Sequence, residues 1–198
     1  MSATSFFKNS RGATLNGQPL PVGPLETSRS LAIAPDGRSF ALGTDERLWN
    51  FDASGKPLWN KRTPAVVWAV NQSADGKVLV TAGQDGAVRW YRARDGEELM
   101  ALLLHGDQRR WVLWTPAGYF DAAAGAEELL GWHVNRGAAA RPDFFPLRSL
   151  RARLYRPDVI DKLLATQDGA EALRVANAAS NRPAEPEVNL AQALPPVL

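Results

Sequence analysis

The chain has 198 residues, 45% of them hydrophobic and 22% charged, an ordinary globular balance with enough length for one or two cores. It contains no cysteine, which excludes disulfides, a thiolate nucleophile and cysteine-ligated metal, and fits a reducing compartment. A net charge of +2 is too small to mark a nucleic-acid binder, which needs a clustered basic face.

In chain order, the amino end MSATSFFKNSRG has no apolar core of signal-peptide length. The longest apolar run, LMALLL, is far too short to cross a bilayer. No membrane association is expected, and the chain is placed in the cytoplasm unless a targeting segment lies upstream of Met1. The stretch NGQPLPVGPL mimics the later turns SGKPLW and DGEELM, and reads as the remnant of a unit cut midway.

From Ser73 to Leu99 the sequence runs SADGKVLVTAGQDGAVRWYRARDGEEL, with Asp-Gly pairs at Asp75-Gly76, Asp85-Gly86 and Asp95-Gly96. Asp and Gly both tolerate positive φ, which a two-residue hairpin turn demands. The segments AVVWAVNQ, KVLVTAGQ, AVRWYRAR and EELMALLL between and around these pairs are each the length of one short strand. Three consecutive hairpins predict a four-stranded antiparallel meander. Its strands are apolar on both faces: Val78, Val80 and Ala82 point one way, Leu79 and Thr81 the other.

The pattern recurs at intervals of about forty residues. Upstream, SLAIAPDGRSFALGTDERLWNFDASGKPLW aligns Gly37, Gly43 and Trp49 with Gly76, Gly83 and Trp90. Downstream, RRWVLWTPAGYFDAAAGAEELLGWHVN aligns Gly118, Gly125 and Trp132 with the same three. A meander with two apolar faces cannot stand alone in water, and stacking covers both. The predicted fold is therefore all-β, a partial β-propeller of about three four-stranded antiparallel blades, followed by a short α-helical segment and a Pro-rich tail. The units fall at residues 26–60, 61–103 and 104–136, with a partial unit before 26, so that blades occupy 1–136. Closed propellers use about four to eight blades. Three leave a face and several strand edges open, so the chain is expected to be the tail of a longer propeller or to self-associate through open blade edges.

These units resemble the WD-repeat family of β-propellers, on the turns PDG, ADG and PAG, the run AGQDGAVRWY, and His105-Gly106 after ALLL. In that family a Trp ends the third strand before Asp; here the pairs are Trp49-Asn50, Trp90-Tyr91 and Trp132-His133. The resemblance implies a buried set of a loop His, a turn Asp and the Trp. Unit two supplies Asp85 and Trp90 without the His. Unit three supplies His105 and Trp132, with Glu127 or Glu128 near the Asp place. With no complete set, apolar stacking is expected to hold the blades. The run from Arg109, then DFFPLRSLRARLYRPDVIDKLL, also resembles a junction in bacterial multidomain proteins that leads from a WD-repeat propeller toward a caspase-like domain. That chemistry needs a Cys-His pair, so this chain cannot itself be the peptidase.

After Asn135, RGAAARP reads as a linker, and the segment from Asp143 loses the period of two and reads as short helices, a helical extension over 137–180. Pro157 opens a helix with a stripe of Val159, Ile160, Leu163 and Leu164; Asp168 caps a second through Ala178, with Ala172, Leu173 and Ala176 on one side. Phe144, Phe145, Leu150, Leu154 and Tyr155 are the expected anchors on the last blade. Residues 181–198 read as an extended linker.

No catalytic, cofactor-binding or metal-binding residues are predicted, and the chain is not expected to be an enzyme. His105 and His133, the only imidazoles, have no second ligand at metal spacing. Glu127, Glu128 and Asp121 read as solvated turn carboxylates, and the glycines fall at hairpin turns and not in a phosphate loop. Arg136, Arg141, Arg148, Arg151, Arg153 and Arg156 read as a solvated rim docking acidic residues, in preference to a nucleic-acid interface. Trp49, Trp90 and Trp132 are placed in the core; Trp68 and Trp114 match each other in first strands; Trp59 and Trp111 are the expected contact surface. The function that follows is a non-catalytic protein-interaction scaffold whose partners are proteins or further blades, part of or derived from a larger bacterial caspase-like regulatory protein. The alternatives are acidic-partner or nucleic-acid binding through residues 136–156, and an enzyme whose site is shared with other chains.

Overall fold

A computed structural model of the chain describes residues 8–134 and 143–181. Two compact units divide it, Met1–Glu98 and Leu99–Leu198.

In the first unit, β1 (Thr14–Leu15) and β2 (Gln18–Pro19) form a hairpin. Asn16 and Gly17 both have positive φ (50° and 80°), the two-residue turn that Asn-Gly favours. Strands β3 (Ser28–Ile33), β4 (Ser39–Thr44), β5 (Arg47–Asp52) and β6 (Pro57–Arg62) make a four-stranded antiparallel meander in sequence order. Then β7 (Val67–Gln72), β8 (Val78–Gly83) and β9 (Ala87–Arg92) pair antiparallel in turn.

The Asp-Gly turns differ from the two-residue form. Only the glycine takes positive φ, 72° at Gly76, 80° at Gly86 and 71° at Gly96. The aspartate instead uses its carboxylate: Asp75, Asp85 and Asp95 each accept the backbone N–H two residues on, from Lys77, Ala87 and Glu97. This is the Asx turn, in which a side chain replaces a missing backbone acceptor. Asp95 also takes the Arg92 guanidinium, and that hydrogen bond, followed by the Glu97 amide, lowers its pKa to about 2.

Pleating gives the β3–β6 sheet two buried faces. On one, Phe40, Leu42, Trp49 and Phe51 pack with Ala13, Leu15 and Leu20 of the N-terminal segment. Phe51 stacks on Phe40 and Trp49 at 5.1 and 5.6 Å between ring centroids. On the other face, Ala32, Ala41 and Leu48 meet Val67, Val70, Leu79 and Tyr91 of the β7–β9 sheet. Gly43 lies on this second face because a methyl there would run into Ser30 and Val67.

In the second unit, β10 (Glu98–Leu104), β11 (Trp111–Trp114) and β12 (Phe120–Ala122) continue as an antiparallel meander. A 3-10 turn at Ala126–Glu128 follows. Next, β13 (Gly131–Val134) pairs with β14 (Asp143–Pro146) and not with β12. The segment Asp143–Pro146, read from sequence as helical, is thus a strand: Phe-Phe-Pro favours extended backbone. A 3-10 turn at Leu147–Leu150 leads to α1 (Arg151–Leu154), α2 (Pro157–Thr166) and α3 (Gly169–Ala179). Pro157 stands in the first turn of α2, and Asp168 caps α3 by accepting the Glu171 N–H at 3.0 Å. Val159, Ile160, Leu163, Ala172 and Ala176 are buried, as the stripe predicts, while Leu164 is exposed. Of the expected anchors, Leu150 and Leu154 are buried and Tyr155 packs edge-on to Phe120; Phe144 is exposed.

The chain is therefore a predominantly antiparallel β protein of partial-propeller type with a helical segment after its strands. Two outcomes are expected. Gly43→Ala destabilises the first unit by about 1–3 kcal/mol in urea unfolding, through overpacking, whereas Gly12→Ala, with open space around it, does not. Asp95 has a depressed folded pKa, so its contribution is present above the unfolded carboxylate value of about 3.9 and is lost as pH falls through about 2; Asp95→Asn flattens the acid limb of the stability curve measured by circular dichroism.

Candidate functional site: polar locks and the β3 and β7 edges

The register places the repeat tryptophans one residue out of step. Trp49 pairs with Leu42 and Phe51 with Phe40; in the next meander Arg89 pairs with Thr81 and Tyr91 with Leu79. Arg89 thus fills the place of Trp49, and Trp90 lies on the opposite face of its strand, half-buried. Trp132 sits on β13 opposite Phe145, outside the β10–β12 meander. The three tryptophans are not equivalent.

The Trp49 and Arg89 places each hold a polar lock that sequence reading missed. Around Trp49, the buried Glu26 carboxylate accepts the indole Nε1–H at 2.8 Å and the Thr44 hydroxyl at 2.9 Å. The Thr44 hydroxyl accepts the Arg47 N–H at 2.8 Å, and the Arg47 guanidinium lies 3.6 Å from Glu26. A glutamate from the loop before the strand stands where the family resemblance implies a histidine. The signal available in sequence was Glu26 itself, an acid a few residues ahead of an apolar strand. Around Arg89, the buried guanidinium donates to both oxygens of Asp85, at 3.1 and 2.5 Å, and lies 3.9 Å from Glu98. Burial pushes the Glu98 carboxyl up, and burial followed by the charge of Glu98 pushes the Tyr91 phenol up. The hydrogen bond to Arg89 holds Asp85 down.

Trp59, expected at the surface, is instead an inter-sheet wedge. Its Nε1–H donates to the Ala93 carbonyl at 2.8 Å, beside the Asn50 amide on the same oxygen, and its ring covers Gly96. Trp111 and Trp114 are half-buried. The exposed tryptophan is Trp68, at 50%. It stands at the bulge of β7 between Val67 and Ala69, as Arg29 stands at the bulge of β3 between Ser28 and Ser30. Bulges re-aim the extra side chain out of the pleat, and the two residues meet, Arg29 lying 5.1 Å over the Trp68 ring. Arg29 donates to Asn9 Oδ1 at 2.8 Å and lies 3.9 Å from Asp45. An aromatic ring beside a cation on the edge strands β3 and β7 is suited to a protein or peptide contact.

The other named residues are accounted for locally. The half-exposed His105 ring lies 3.1 Å from Asp107 and 3.2 Å from Arg110 within one turn, and the backbone of His133 pairs with Phe144. Glu127 and Glu128 pair with Arg151 and Arg148, and Asp121 accepts the Ala122 N–H. Arg151 also lies over Tyr155, Arg153 is exposed, and Arg156 is buried; Arg136 and Arg141 lie outside the described residues. Among the described residues no three acidic or histidine side chains gather as metal ligands, and no helix is long and apolar enough to cross a membrane.

No family model matches the sequence, and no curated protein is similar to it. Among solved structures it is similar to BamB from Moraxella catarrhalis, at 16% identity over 58% of this chain and 39% of that one, with a TM-score of 0.39. It is similar to the Dos1 propeller, at 18% identity over 53% and 32%, TM-score 0.41. It is also similar to the RRP9 WD40 repeats, at 16% identity over 52% and 40%, TM-score 0.38. The match takes in well under half of each of those chains.

Glu26→Ala leaves the Trp49 indole and the Thr44 hydroxyl without their buried acceptor, and is expected to cost about 1–3 kcal/mol by urea unfolding. Glu26→Gln keeps an acceptor and loses less.

Proposed function

We propose that the chain is a non-catalytic propeller segment of the WD-repeat type that serves as a protein-interaction scaffold. Its units are placed at 26–60, 61–103 and 104–136, its extension at 137–180, helical apart from the strand β14, and its linker at 181–198. We further propose that it is part of, or derived from, a larger cytoplasmic bacterial protein of the caspase-like regulatory kind.

The observation that carries this reading is where the polar chemistry goes. Among the described residues the buried charged groups are engaged by partners inside the fold: Glu26 by Thr44 and Trp49, Arg89 by Asp85 and Glu98, Arg156 by Asp158 and Asn177. What faces solvent includes Trp68, Leu58 and Phe144, the kind of side chain that protein interfaces use. The nucleic-acid reading draws no support from Arg148 and Arg151, whose charges are met by Glu128 and Glu127. The caspase-type origin rests on the sequence resemblance of the junction; the chain has no cysteine to act as that domain's nucleophile.

Two measurements test the parts separately. Purified chain offered peptide and ester substrates is expected to show no turnover; hydrolysis that persists through repurification and disappears in His105→Ala overturns the scaffold reading. Sequencing outward from the coding region is expected to find more forty-residue units upstream and a Cys-His domain downstream; their absence removes the caspase-type origin and leaves the scaffold.

A further inference from the structure

The strand β12 ends its sheet, and its outer edge carries the polar groups of Phe120 and Ala122. This follows from the ladder: Tyr119 O and Ala123 N, on either side, bond back to Thr115 and Trp111, so by alternation Phe120 and Ala122 point their backbone groups away from β11. Such a row invites a strand from another molecule. Here two of its groups are already taken. The Phe120 carbonyl accepts the Arg156 N–H at 2.9 Å, and Tyr155 bridges Phe120 in parallel. The Ala122 N–H is covered by the Asp121 carboxylate at 2.8 Å.

The segment at the edge is held from behind. The Arg156 side chain is buried at 4% exposure; its Nε and one terminal nitrogen donate to the two Asp158 oxygens, both at 2.8 Å, and that nitrogen reaches Asn177 Oδ1 on α3 at 2.7 Å. One residue therefore closes the edge with its backbone and ties α2 to α3 with its side chain. Tyr155 adds an edge-on contact to the Phe120 ring at 5.6 Å.

We infer that Tyr155–Arg156, braced by α2 and α3, is an edge cap: it occupies the place of a further strand on β12 and keeps that edge from pairing with a second copy of the chain. A helical segment with no role at the edge would pack on a face of the sheet and leave the Phe120 carbonyl to water. This cap uses that carbonyl.

The test uses the full chain. Arg156→Gln is expected to release the brace. Hydrogen exchange at the residue-156 amide, which donates to the Phe120 carbonyl, then accelerates while β3–β6 is unchanged, and the weight-average mass by sedimentation rises about twofold with concentration as two edges pair. Adding Ala122→Pro removes an outward N–H without costing a bond to β11, blocks strand addition, and returns the mass to that of the parent chain. Arg174→Gln, which breaks only the exposed Glu171 pair on α3, leaves mass and exchange unchanged. The inference is overturned if Arg156→Gln leaves exchange at the residue-156 amide as it was, if the edge opens without any gain in mass, or if the gain persists in the Ala122→Pro double variant.

Discussion

The fold depends on one constraint: a short antiparallel meander with apolar side chains on both faces must be covered on both. The β3–β6 sheet meets it by facing the N-terminal segment with Phe40, Leu42, Trp49 and Phe51, and the β7–β9 sheet with Ala32, Ala41 and Leu48. Burying a Leu or Phe side chain is worth about 1.5–3 kcal/mol, so a bare face of this size would outweigh the stability of a small domain. The N-terminal hairpin has only two strands of two residues each, yet it brings Ala13, Leu15 and Leu20 to that face.

Polar groups inside such a stack are tolerated only in closed sets. Glu26 is worth burying because Thr44, Trp49 and Arg47 meet its oxygens; Arg89 because Asp85 and Glu98 meet its nitrogens. The same rule governs Arg156 in the second unit. These sets add direction to an otherwise non-directional packing, since each bond is satisfied in one register of the strands and not in a neighbouring one.

Much of this was legible in sequence because it is local. Asp-Gly spacing set the strand lengths of β7 to β10, and Pro157 and Asp168 marked the starts of α2 and α3. The errors arose where long-range geometry decides. Spacing between tryptophans suggested that Trp49 and Trp90 are equivalent, but the strand period is two, and a spacing one residue too long turns Trp90 to the other face and brings Arg89 into its place. Trp59 looked unconstrained because its partners, Ala93 and Gly96, lie in the turn after β9, more than thirty residues away. The Arg29–Trp68 pair was invisible because it depends on two bulges, which leave no mark in composition. Strand β14 looked helical because its partner β13 is not adjacent to it in sequence.

The two locks of the first unit differ in chemistry, a carboxylate holding an indole in one meander and a guanidinium holding two carboxylates in the next. Repeats of like sequence tend to exchange strands with their neighbours while folding. Here a tryptophan in the place of Arg89 would leave Asp85 and Glu98 without the cation they share, and an arginine in the place of Trp49 would add a second guanidinium beside that of Arg47. The two ribbons are alike in backbone yet not interchangeable at this place, because each buried set balances its charges with a different residue.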